Sequence, residues 1–537
     1  MRALLEVRGL GVTRSRDGET VTLLSDVDLA VGPGESVALV GESGSGKTLT
    51  ARSILGLLPA GLTATGSIIV DGVTVDGDPA KTKPLRGERV ALLMQDPFTL
   101  LNPLRRVGPQ LADALPSAVR RNPAARSQEV ERRLAEVGLD AKVAGQFPFQ
   151  LSGGMRQRVG VAAALVRDPV LLIADEPTTA LDVTTQREVL RLIRRVQADR
   201  GMGFILITHD LRVAFSMCER VLVLKDGRVV ESGPTQEIRA NPREEYTKRL
   251  LDAEPSLDKP LPPWPGAAVH DAAPALLRTV DLSKTFPGSA SPALDSVSIT
   301  VHEGEAVGVV GESGSGKTTL ARCVVGLETP TAGSIEFAGK EFDSWASLSG
   351  ADRRRLRGDV QMVFQDPYSS LNPMRSIGAT LSEILHAFGK PSRRPDAEAL
   401  LERVGLPTAY AQRRPAALSG GQRQRVAIAR ALAAQPRLLI CDEAVSALDV
   451  SVQAQILELL RELRTDLGMA LLFVTHDLAV VREITDRLYV MQGGRCVESG
   501  PTDRVLTMPE DAYTRQLLQA VPREDPSWLN RRRTPPG

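Results

Sequence analysis

The chain has 537 residues, of which 42% are hydrophobic, and this length exceeds what one hydrophobic core serves, so two to four domains are expected. Its 66 basic and 65 acidic residues give a formal charge of +1 at pH 7, which argues against nucleic acid as the main partner. No run approaches about 18 apolar residues, and residues 1–19 have no long apolar core, so neither a membrane-spanning helix nor a signal peptide is expected.

The first elements in chain order are short alternating or apolar stretches. Residues 4–10 and 21–31 alternate in polarity, which predicts antiparallel strands. Residues 36–40 form an apolar run, which predicts a buried strand. That strand leads directly into Gly41-Glu42-Ser43-Gly44-Ser45-Gly46-Lys47-Thr48, which fits the phosphate-binding pattern G-x-x-x-x-G-K-[ST].

The same octapeptide recurs at residues 311–318, again after an apolar stretch at 306–310. Its glycines let successive backbone N–H groups point at phosphate oxygens, and the following helix directs its positive end at the same anion. A glycine-rich turn with a solvated lysine is the alternative, but two identical copies after apolar strands argue against it. The expected nucleotide-binding residues are Gly41, Ser43, Gly44, Ser45, Gly46, Lys47 and Thr48 in the first copy, and Gly311, Ser313, Gly314, Ser315, Gly316, Lys317, Thr318 and Thr319 in the second.

The lysine and the threonine of each octapeptide have separate expected roles. Lys47 and Lys317 would place a positive charge on the β- and γ-phosphates. Thr48 and Thr318 would supply a hydroxyl oxygen to Mg²⁺.

A glutamine follows the next predicted strand in each copy. Residues 90–94 end at Gln95, and residues 360–364 end at Gln365. A neutral amide can contact Mg²⁺ or the attacking water without adding charge, so both glutamines are candidate catalytic and metal-contacting residues. The alternative is a turn set by the proline two residues later. Residues 96–150 are then expected to be largely helical.

A serine followed by two glycines begins the next predicted helix in each copy. A helix N-terminus of this kind leaves backbone N–H groups available to an anion, although a plain helix cap is the alternative. The candidate nucleotide-contacting residues here are Ser152, Gly153 and Gly154 in the first copy, and Ser419, Gly420, Gly421 and Gln422 in the second.

Two adjacent carboxylates end the next apolar strand in each copy. Asp175 and Glu176 follow residues 170–174, and the pair Asp442-Glu443 follows residues 438–441. The aspartate would hold Mg²⁺ and the glutamate would act as the general base that polarises water. The alternative is an ordinary acidic start of a helix.

Two of the five histidines, His209 and His476, lie in Thr-His-Asp after a further apolar strand. A single histidine is more often structural, but two at matched positions favour contact with the γ-phosphate. Both are therefore candidate catalytic residues.

Matched spacing shows that the chain is a duplicated domain. Lys47 and Lys317 differ by 270 in number (317 − 47), whereas His209 and His476 differ by 267 (476 − 209). Strands that alternate with helices predict an α/β fold with a mostly parallel sheet, antiparallel strands and a helical part in each copy. The expected organisation is an ATPase domain at 1–253, a proline-rich linker at 254–275, a second ATPase domain at 276–520 and a disordered tail at 521–537.

The ordered set of phosphate loop, glutamine, Leu-Ser-Gly-Gly, carboxylate strand and histidine resembles the ATP-binding subunits of ABC transporters. This resemblance covers almost the whole chain twice, as two tandem P-loop NTPase domains. The segments at 95–103, 365–373 and 442–453 resemble the subfamily that imports dipeptides, oligopeptides or nickel. So do Tyr246-Thr247 and Tyr513-Thr514 near the domain ends. The chain resembles two such subunits fused.

The resemblance implies that two domains bind and hydrolyse two ATP with Mg²⁺ head to tail. Lys47 and Glu176 would then share a site with Ser419, and the second loop would pair with Ser152. It also implies two multi-spanning permease subunits, an extracytoplasmic solute-binding protein and a peripheral place on the cytoplasmic face of the membrane. No homodimer is required, because the two halves are tethered.

Four features depart from the family's general pattern. Met155 replaces a glutamine after Ser-Gly-Gly, and Ala444-Val445 replaces a Pro-Thr pair. Phe286 matches the aromatic residue that stacks on adenine, whereas Arg14 stands at the corresponding place in the first copy. Some relatives carry a cysteine cluster near the C-terminus, but the four cysteines here are scattered without C-x-x-C spacing, so neither an iron–sulfur cluster nor zinc is expected.

Other twin-ATPase functions remain as alternatives. A soluble factor acting on ribosomes, of the ABC-F kind, would carry Asn-His before Leu-Asp, where this chain has Thr179-Ala180 and Ser446-Ala447. An excision-type DNA-repair ATPase would need zinc-binding cysteine clusters, and an exporter would not share the peptide-importer segments. The solute stays open among dipeptides, oligopeptides, a glutathione-like peptide and nickel.

Overall fold

The computed structural model describes residues 3–16, 19–95, 100–179, 181–257, 273–289, 291–366, 370–446, 448–525 and 527–530. These residues fall into two compact units. The first lies within 1–254, 449–451 and 522–532, and the second within 255–448 and 452–521. No helix in these ranges is long and apolar enough to cross a membrane.

The first unit contains an antiparallel sheet and a mostly parallel sheet. The antiparallel sheet has the strand order Glu19–Val31, Leu5–Arg16, Leu62–Val70 and Val73–Thr74. The larger sheet has the order Arg228–Pro234, Arg220–Lys225, Ser36–Val40, Gly203–Ile207, Leu171–Asp175 and Val90–Leu93. Its strands are parallel except for the edge strand Arg228–Pro234.

Helices of the first unit connect and cover these strands. The α-helices are Lys47–Ile54, Pro79–Thr82, Val107–Ala114, Ser117–Arg121, Pro123–Glu136, Gly153–Leu165, Val183–Arg200, Leu211–Met217, Thr235–Ala240, Glu245–Ala253 and Ser527–Asn530. Short 3₁₀ helices span Ala141–Gly145 and Pro148–Gln150.

The second unit repeats this architecture. Its antiparallel sheet contains Leu294–Val297, Ala275–Lys284, Ala332–Phe337 and Lys340–Phe342, with Thr300–His302 also paired to Ala275–Lys284. Its larger sheet has the order Val360–Val363, Leu438–Asp442, Ala470–Thr475, Ala306–Val310, Arg487–Gln492 and Arg495–Pro501.

The described helices of the second unit follow the order of the first, without separate counterparts of Ser117–Arg121 and Ser527–Asn530. The α-helices are Lys317–Val324, Gly350–Asp359, Ile377–Ala387, Arg394–Arg403, Gly420–Leu432, Val450–Leu467, Leu478–Ile484, Thr502–Thr507 and Ala512–Ala520. The 3₁₀ helices are Thr408–Gln412 and Pro415–Ala417.

Continuous apolar runs form the parallel strands because these strands are covered on both faces. All five residues of Ser36–Val40, Leu171–Asp175 and Leu438–Asp442 are buried. Carboxyl ends of parallel strands meet at one sheet edge, so the residues that follow them are brought together there. The predicted α/β class and the duplicated P-loop domains are confirmed.

The prediction that residues 96–150 are largely helical is confirmed for the described residues 100–150. These contain three separate α-helices, of which Pro123–Glu136 is the longest, and two 3₁₀ helices. Pro116 and Pro123 each stand at a helix start, where the missing N–H costs nothing, so they divide the segment. Residues 96–99 lie outside the described residues.

The expectation of a disordered tail at 521–537 is wrong for residues 527–530. Ser527–Asn530 is helical and belongs to the first unit, where the Trp528 side chain is fully buried. Arg187 donates a hydrogen bond of 3.0 Å to the Trp528 carbonyl, and Arg239 pairs with Glu524 at 2.7 Å. The Pro/Arg-rich composition of this segment gave no sign that the Trp528 side chain is buried. Residues 531–537, like linker residues 258–272, lie outside the described part of the chain.

Candidate functional site

The first phosphate loop joins the buried strand Ser36–Val40 to the helix Lys47–Ile54. Gly41, Gly44 and Gly46 have φ angles of 144°, 83° and 107°, which side chains strongly disfavour. A Cβ atom on Gly41 would lie 2.2 Å from the Leu224 carbonyl oxygen. The glycine is therefore required by close backbone packing as well as by its dihedral angles.

Each loop lysine folds back over its own loop. The Lys47 ammonium donates hydrogen bonds of 2.6 and 2.9 Å to the carbonyls of Gly41 and Glu42. In the second unit, Lys317 donates bonds of 2.8 Å to Gly311 and Glu312. Burial lowers the pKa of Lys47 from its usual value. A buried ammonium at a glycine-rich loop is suited to a phosphate.

Two buried hydroxyls in the loops support this fit to a phosphate. The Oγ atoms of Ser45 and Ser315 are buried and have no hydrogen-bond partner among the described residues. Leaving a buried hydroxyl unpaired costs about 1–3 kcal/mol, so each of these two hydroxyls is available to a ligand or a water. Both serines are among the predicted nucleotide-binding residues.

The candidate metal-binding side chains come together as predicted. The Thr48 hydroxyl donates to Asp175 at 3.3 Å, and Thr318 donates to Asp442 at 3.1 Å. Burial is the main influence on both aspartates and raises the pKa of each above its ordinary value. A hydroxyl and a buried carboxylate are hard oxygen ligands, so this pair fits Mg²⁺.

Glu176 lies at the centre of a polar cluster in the first unit. Its carboxylate accepts a 2.7 Å hydrogen bond from the Gln95 amide and one of 2.9 Å from the Thr179 hydroxyl. The His209 Nδ1 atom lies 3.1 Å from the other carboxylate oxygen. The structure thus brings together the glutamine, the carboxylate and the histidine that the sequence placed after three different strands.

Glu443 has the corresponding partners in the second unit. Gln365 donates a hydrogen bond of 2.8 Å to its carboxylate, and His476 Nδ1 lies 3.3 Å from it. Ser446, at the position of Thr179, donates to the Glu443 backbone carbonyl instead of its carboxylate. The first glutamate therefore has one more hydrogen-bond donor than the second among these matched positions.

Each histidine and glutamate stabilise one another's charge. Burial is the largest influence and lowers the pKa of His209 and His476, but the nearby carboxylates, the glutamate foremost, together outweigh it and raise the pKa of both. Burial would likewise raise the pKa of Glu176 and Glu443, but the histidine lowers both. Each glutamate is therefore held as a carboxylate, which is the form that a general base needs.

Both glutamates have a strained backbone. Their φ angles are 46° for Glu176 and 48° for Glu443, in the left-handed region that disfavours residues with a Cβ atom. Such a conformation costs roughly 1–3 kcal/mol and persists where the surrounding structure imposes it. The tight turn after each carboxylate strand turns the side chain toward the glutamine and the histidine.

The Ser-Gly-Gly segments are helix N-termini, as predicted. Ser152 caps Gly153–Leu165 by accepting a hydrogen bond from Met155 N–H, and Ser419 caps Gly420–Leu432 by accepting from Gln422 N–H. The Gln422 side chain in turn accepts a hydrogen bond from Ser419 N–H, which completes a capping box. Met155 cannot make this return bond, so the departure noted in the sequence removes one hydrogen bond.

The predicted adenine contacts are less defined. Phe286 is 37% exposed, and the Lys284 ammonium lies 5.0 Å from its ring centroid. Arg14 is exposed on the strand Leu5–Arg16. Stacking of either side chain on a base stays a prediction.

Two sets of residues near the loops were missed by sequence reasoning. The Tyr246 hydroxyl accepts a hydrogen bond of 3.1 Å from Glu42 N–H, and Tyr513 accepts one of 3.0 Å from Glu312 N–H. Next to His209, a buried ion pair joins Arg212 to Glu254. The recurrence of Tyr-Thr at matched positions was the available signal for the tyrosines.

Replacing Gly311 with alanine is expected to abolish ATP binding at the second loop. The new Cβ atom would lie 2.2 Å from the Met491 carbonyl oxygen, so the loop must shift. Equilibrium binding should show bound ATP per chain falling from two to one. Gly350→Ala is the control, since that helical glycine has nothing within 4 Å of its Cβ position. Full binding by Gly311→Ala would contradict the loop assignment.

Two protein-family models match the chain. The ABC transporter family model matches residues 24–179 and 294–446, which contain both loops and both carboxylate strands. The model described as the oligopeptide/dipeptide transporter C-terminal region matches residues 230–279 and 497–537.

Curated relatives match over nearly the whole chain. The peptidoglycan transport ATP-binding protein YejF of Agrobacterium fabrum is 41% identical, with 96% of each chain covered. The glutathione import ATP-binding protein GsiA of Escherichia coli K12 is 39% identical and covers 98% of this chain and 90% of its own. A solved complex of archaeal ribosomal stalk protein aP1 with the ribosome recycling factor aABCE1 has a TM-score of 0.61 at 20% identity, covers 91% of this chain and 90% of that one, and shows the fold alone.

Proposed function

Because the chain belongs to the ABC transporter family of ATP-binding proteins, we propose that it is the energy-coupling subunit of a peptide importer. It is an ATPase whose first and second units, here called the first and second cassettes, each contain a phosphate loop and a carboxylate strand. The observation that carries the proposal is the glutamine–glutamate–histidine cluster, which occurs in both cassettes with nearly equal distances.

The residues of each cluster have distinct proposed roles in hydrolysis. Glu176 and Glu443 accept the proton of the attacking water. Gln95 and Gln365 orient that water through their amides, while His209 and His476 hold the glutamates as carboxylates and contact the γ-phosphate. Lys47 and Lys317 hold the β- and γ-phosphates.

Mg²⁺ is proposed as the second component of each site. Thr48 with Asp175, and Thr318 with Asp442, would hold the ion through their oxygens. When bound, Mg²⁺ neutralises charge that develops on the transferred phosphoryl group. The head-to-tail pairing of the cassettes, with Ser152 and Ser419 each completing the other cassette's site, stays a prediction.

We propose peptides as the solute class. Support comes from the match to an oligopeptide/dipeptide transporter C-terminal region and from relatives named for glutathione and peptidoglycan transport. Two membrane permease subunits and an extracytoplasmic solute-binding protein are the proposed partners. The chain would then lie peripherally on the cytoplasmic face of the membrane.

Two linked experiments test this function. The tagged chain is purified from its native cells in mild detergent, and co-purifying proteins are identified by mass spectrometry; two multi-spanning proteins are expected. Cells lacking the chain should then lose uptake of labelled di- and tripeptides, glutathione included, and should regain it with the wild-type chain but not with Glu176→Gln/Glu443→Gln. Ribosomal proteins without membrane partners, or loss of nickel uptake alone, would refute peptide import.

A further inference from the structure

The structure points to a pair of tyrosines, Tyr246 and Tyr513, as positioning residues for the two phosphate-binding lysines. Each tyrosine is near the start of a helix, Glu245–Ala253 or Ala512–Ala520. Each is nearly fully buried. We infer that they fix the first peptide unit of each phosphate loop, and this inference rests on the proposed function of the loops as ATP sites.

Both polar groups of one peptide unit are held from opposite sides. The Gly41–Glu42 peptide accepts a hydrogen bond at its carbonyl from the Lys47 ammonium at 2.6 Å. Its N–H donates to the Tyr246 hydroxyl at 3.1 Å. A peptide unit is planar, so fixing the N–H also fixes the direction of the carbonyl that receives the lysine. The tyrosine therefore acts on the lysine through the backbone.

The second cassette repeats the arrangement with an independent set of residues. Lys317 donates to the Gly311 carbonyl at 2.8 Å, and Glu312 N–H donates to the Tyr513 hydroxyl at 3.0 Å. The contacts around the two tyrosine rings differ. The Lys225 ammonium lies 5.1 Å from the centroid of the Tyr246 ring, whereas the position that matches Lys225 in the second cassette is Gln492 (492 − 225 = 267). The hydroxyl contact is thus what the two sites share.

Close packing against neighbouring backbone restricts the conformation of this peptide unit. Gly41 lies against the Leu224 carbonyl so closely that a Cβ atom would be 2.2 Å away, and Gly311 lies against Met491 in the same way. Burial raises the pKa of Tyr246 to about 12, so its hydroxyl stays protonated and neutral at physiological pH. It can therefore accept from the loop N–H without placing a negative charge near the phosphates.

The tyrosines and the loops that they contact lie in regions of the chain that match different family models. Both lie within the segments that match the oligopeptide/dipeptide transporter C-terminal region, outside the two stretches that match the general ATPase model. Tyr246 is 204 residues from Glu42. The C-terminal region of each cassette thus contributes a side chain to the geometry of the loop that binds phosphate.

Tyrosine-to-phenylalanine variants test this role, because they remove only the hydroxyl. In the full-length chain, Tyr246→Phe/Tyr513→Phe is expected to raise the KM and the Kd for ATP about tenfold, as expected when one hydrogen bond is lost. The change in kcat should be smaller, since the lysine holds phosphate both before and during hydrolysis.

The matched control is Tyr489→Phe in the second cassette. Tyr489 is similarly buried, and its hydroxyl accepts a 3.1 Å hydrogen bond from Thr300 N–H, away from the loops. We expect this control to lower the Tm about as much as each single loop variant but to leave the KM for ATP unchanged. An unchanged KM in Tyr246→Phe/Tyr513→Phe, or an equal rise in Tyr489→Phe, would overturn the inference. Failure of the wild-type chain to bind ATP would instead overturn the proposed function itself, and the inference with it.

Discussion

The double variant Glu176→Gln/Glu443→Gln is expected to lose ATP hydrolysis by a factor of about 10²–10⁴, the usual contribution of a general base. Glutamine has nearly the same shape and can still contact Gln95 or His209 in the first cassette, but its amide cannot accept the proton of water. Phosphate release should fall, while the Kd for ATP should stay within a few-fold of the wild-type value.

The single variants distinguish the two cassettes. If both sites hydrolyse, Glu443→Gln and Glu176→Gln each lower turnover; an unchanged rate in Glu443→Gln would mean that the second cassette is not a hydrolysing site. Glu305→Gln is the control, because this buried carboxylate accepts a hydrogen bond from His302 N–H and precedes the strand Ala306–Val310, at the end opposite the phosphate loop. It should leave turnover unchanged.

Replacing Arg212 with alanine is expected to destabilise the first cassette by about 3–5 kcal/mol, the typical cost of breaking a buried ion pair from one side. Arg212 lies 2.9 Å from Glu254 and 3.1 Å from Asp210, and both Arg212 and Glu254 are buried. The variant removes the cation that lies 2.9 Å from the buried Glu254 carboxyl group. Calorimetry of the full-length chain should show the first cassette's Tm falling by roughly 10 °C.

The second cassette supplies the control for this prediction. At the matching positions, 267 residues later, it has Ala479 and Val521, and both are buried. The double variant Arg212→Ala/Glu254→Val should therefore recover most of the lost stability, because it replaces the pair with apolar residues that the same fold already accepts. A double variant as unstable as Arg212→Ala would show that the ion pair itself is not the cause.

The destabilisation of Arg212→Ala should also depend on pH. Burial is the largest influence on Glu254 and raises its pKa, whereas Arg212 lowers it, so the variant raises the pKa further. A carboxyl with a raised folded-state pKa contributes stability that is present below its unfolded pKa and lost as pH rises toward the folded value. The difference between Arg212→Ala and wild type should therefore grow as the pH rises through the wild-type Glu254 pKa of about 8 toward the higher value in the variant.

Much of each site could be predicted from sequence because its parts follow buried strands. Lys47, Gln95 and Glu176 come after three apolar runs, and parallel strands bring their carboxyl ends to one edge. Once the repeat was recognised, the same argument placed Gln365 and Glu443. The geometry confirms that these side chains approach one another, although their roles in hydrolysis stay predictions.

The contacts that sequence reasoning missed are long-range and lack a local pattern. Tyr246 meets a loop that is 204 residues away, and only folding of the final helix brings the hydroxyl to it. Arg212 and Glu254 are 42 residues apart (254 − 212), and nothing in either local sequence marks a buried pair. The composition of the tail predicted disorder because composition is an average over many residues. Burial of Trp528 depends on a single side chain, which such an average does not show.

The left-handed backbone at Glu176 and Glu443 has a consequence for how this chain would respond to selection for heat resistance. Glycine or asparagine adopts this conformation more easily, so a library screened for melting temperature alone should enrich them at both positions. The enriched variants would have a higher melting temperature but would not hydrolyse ATP. In each cassette, such a screen would therefore select against the proposed general base.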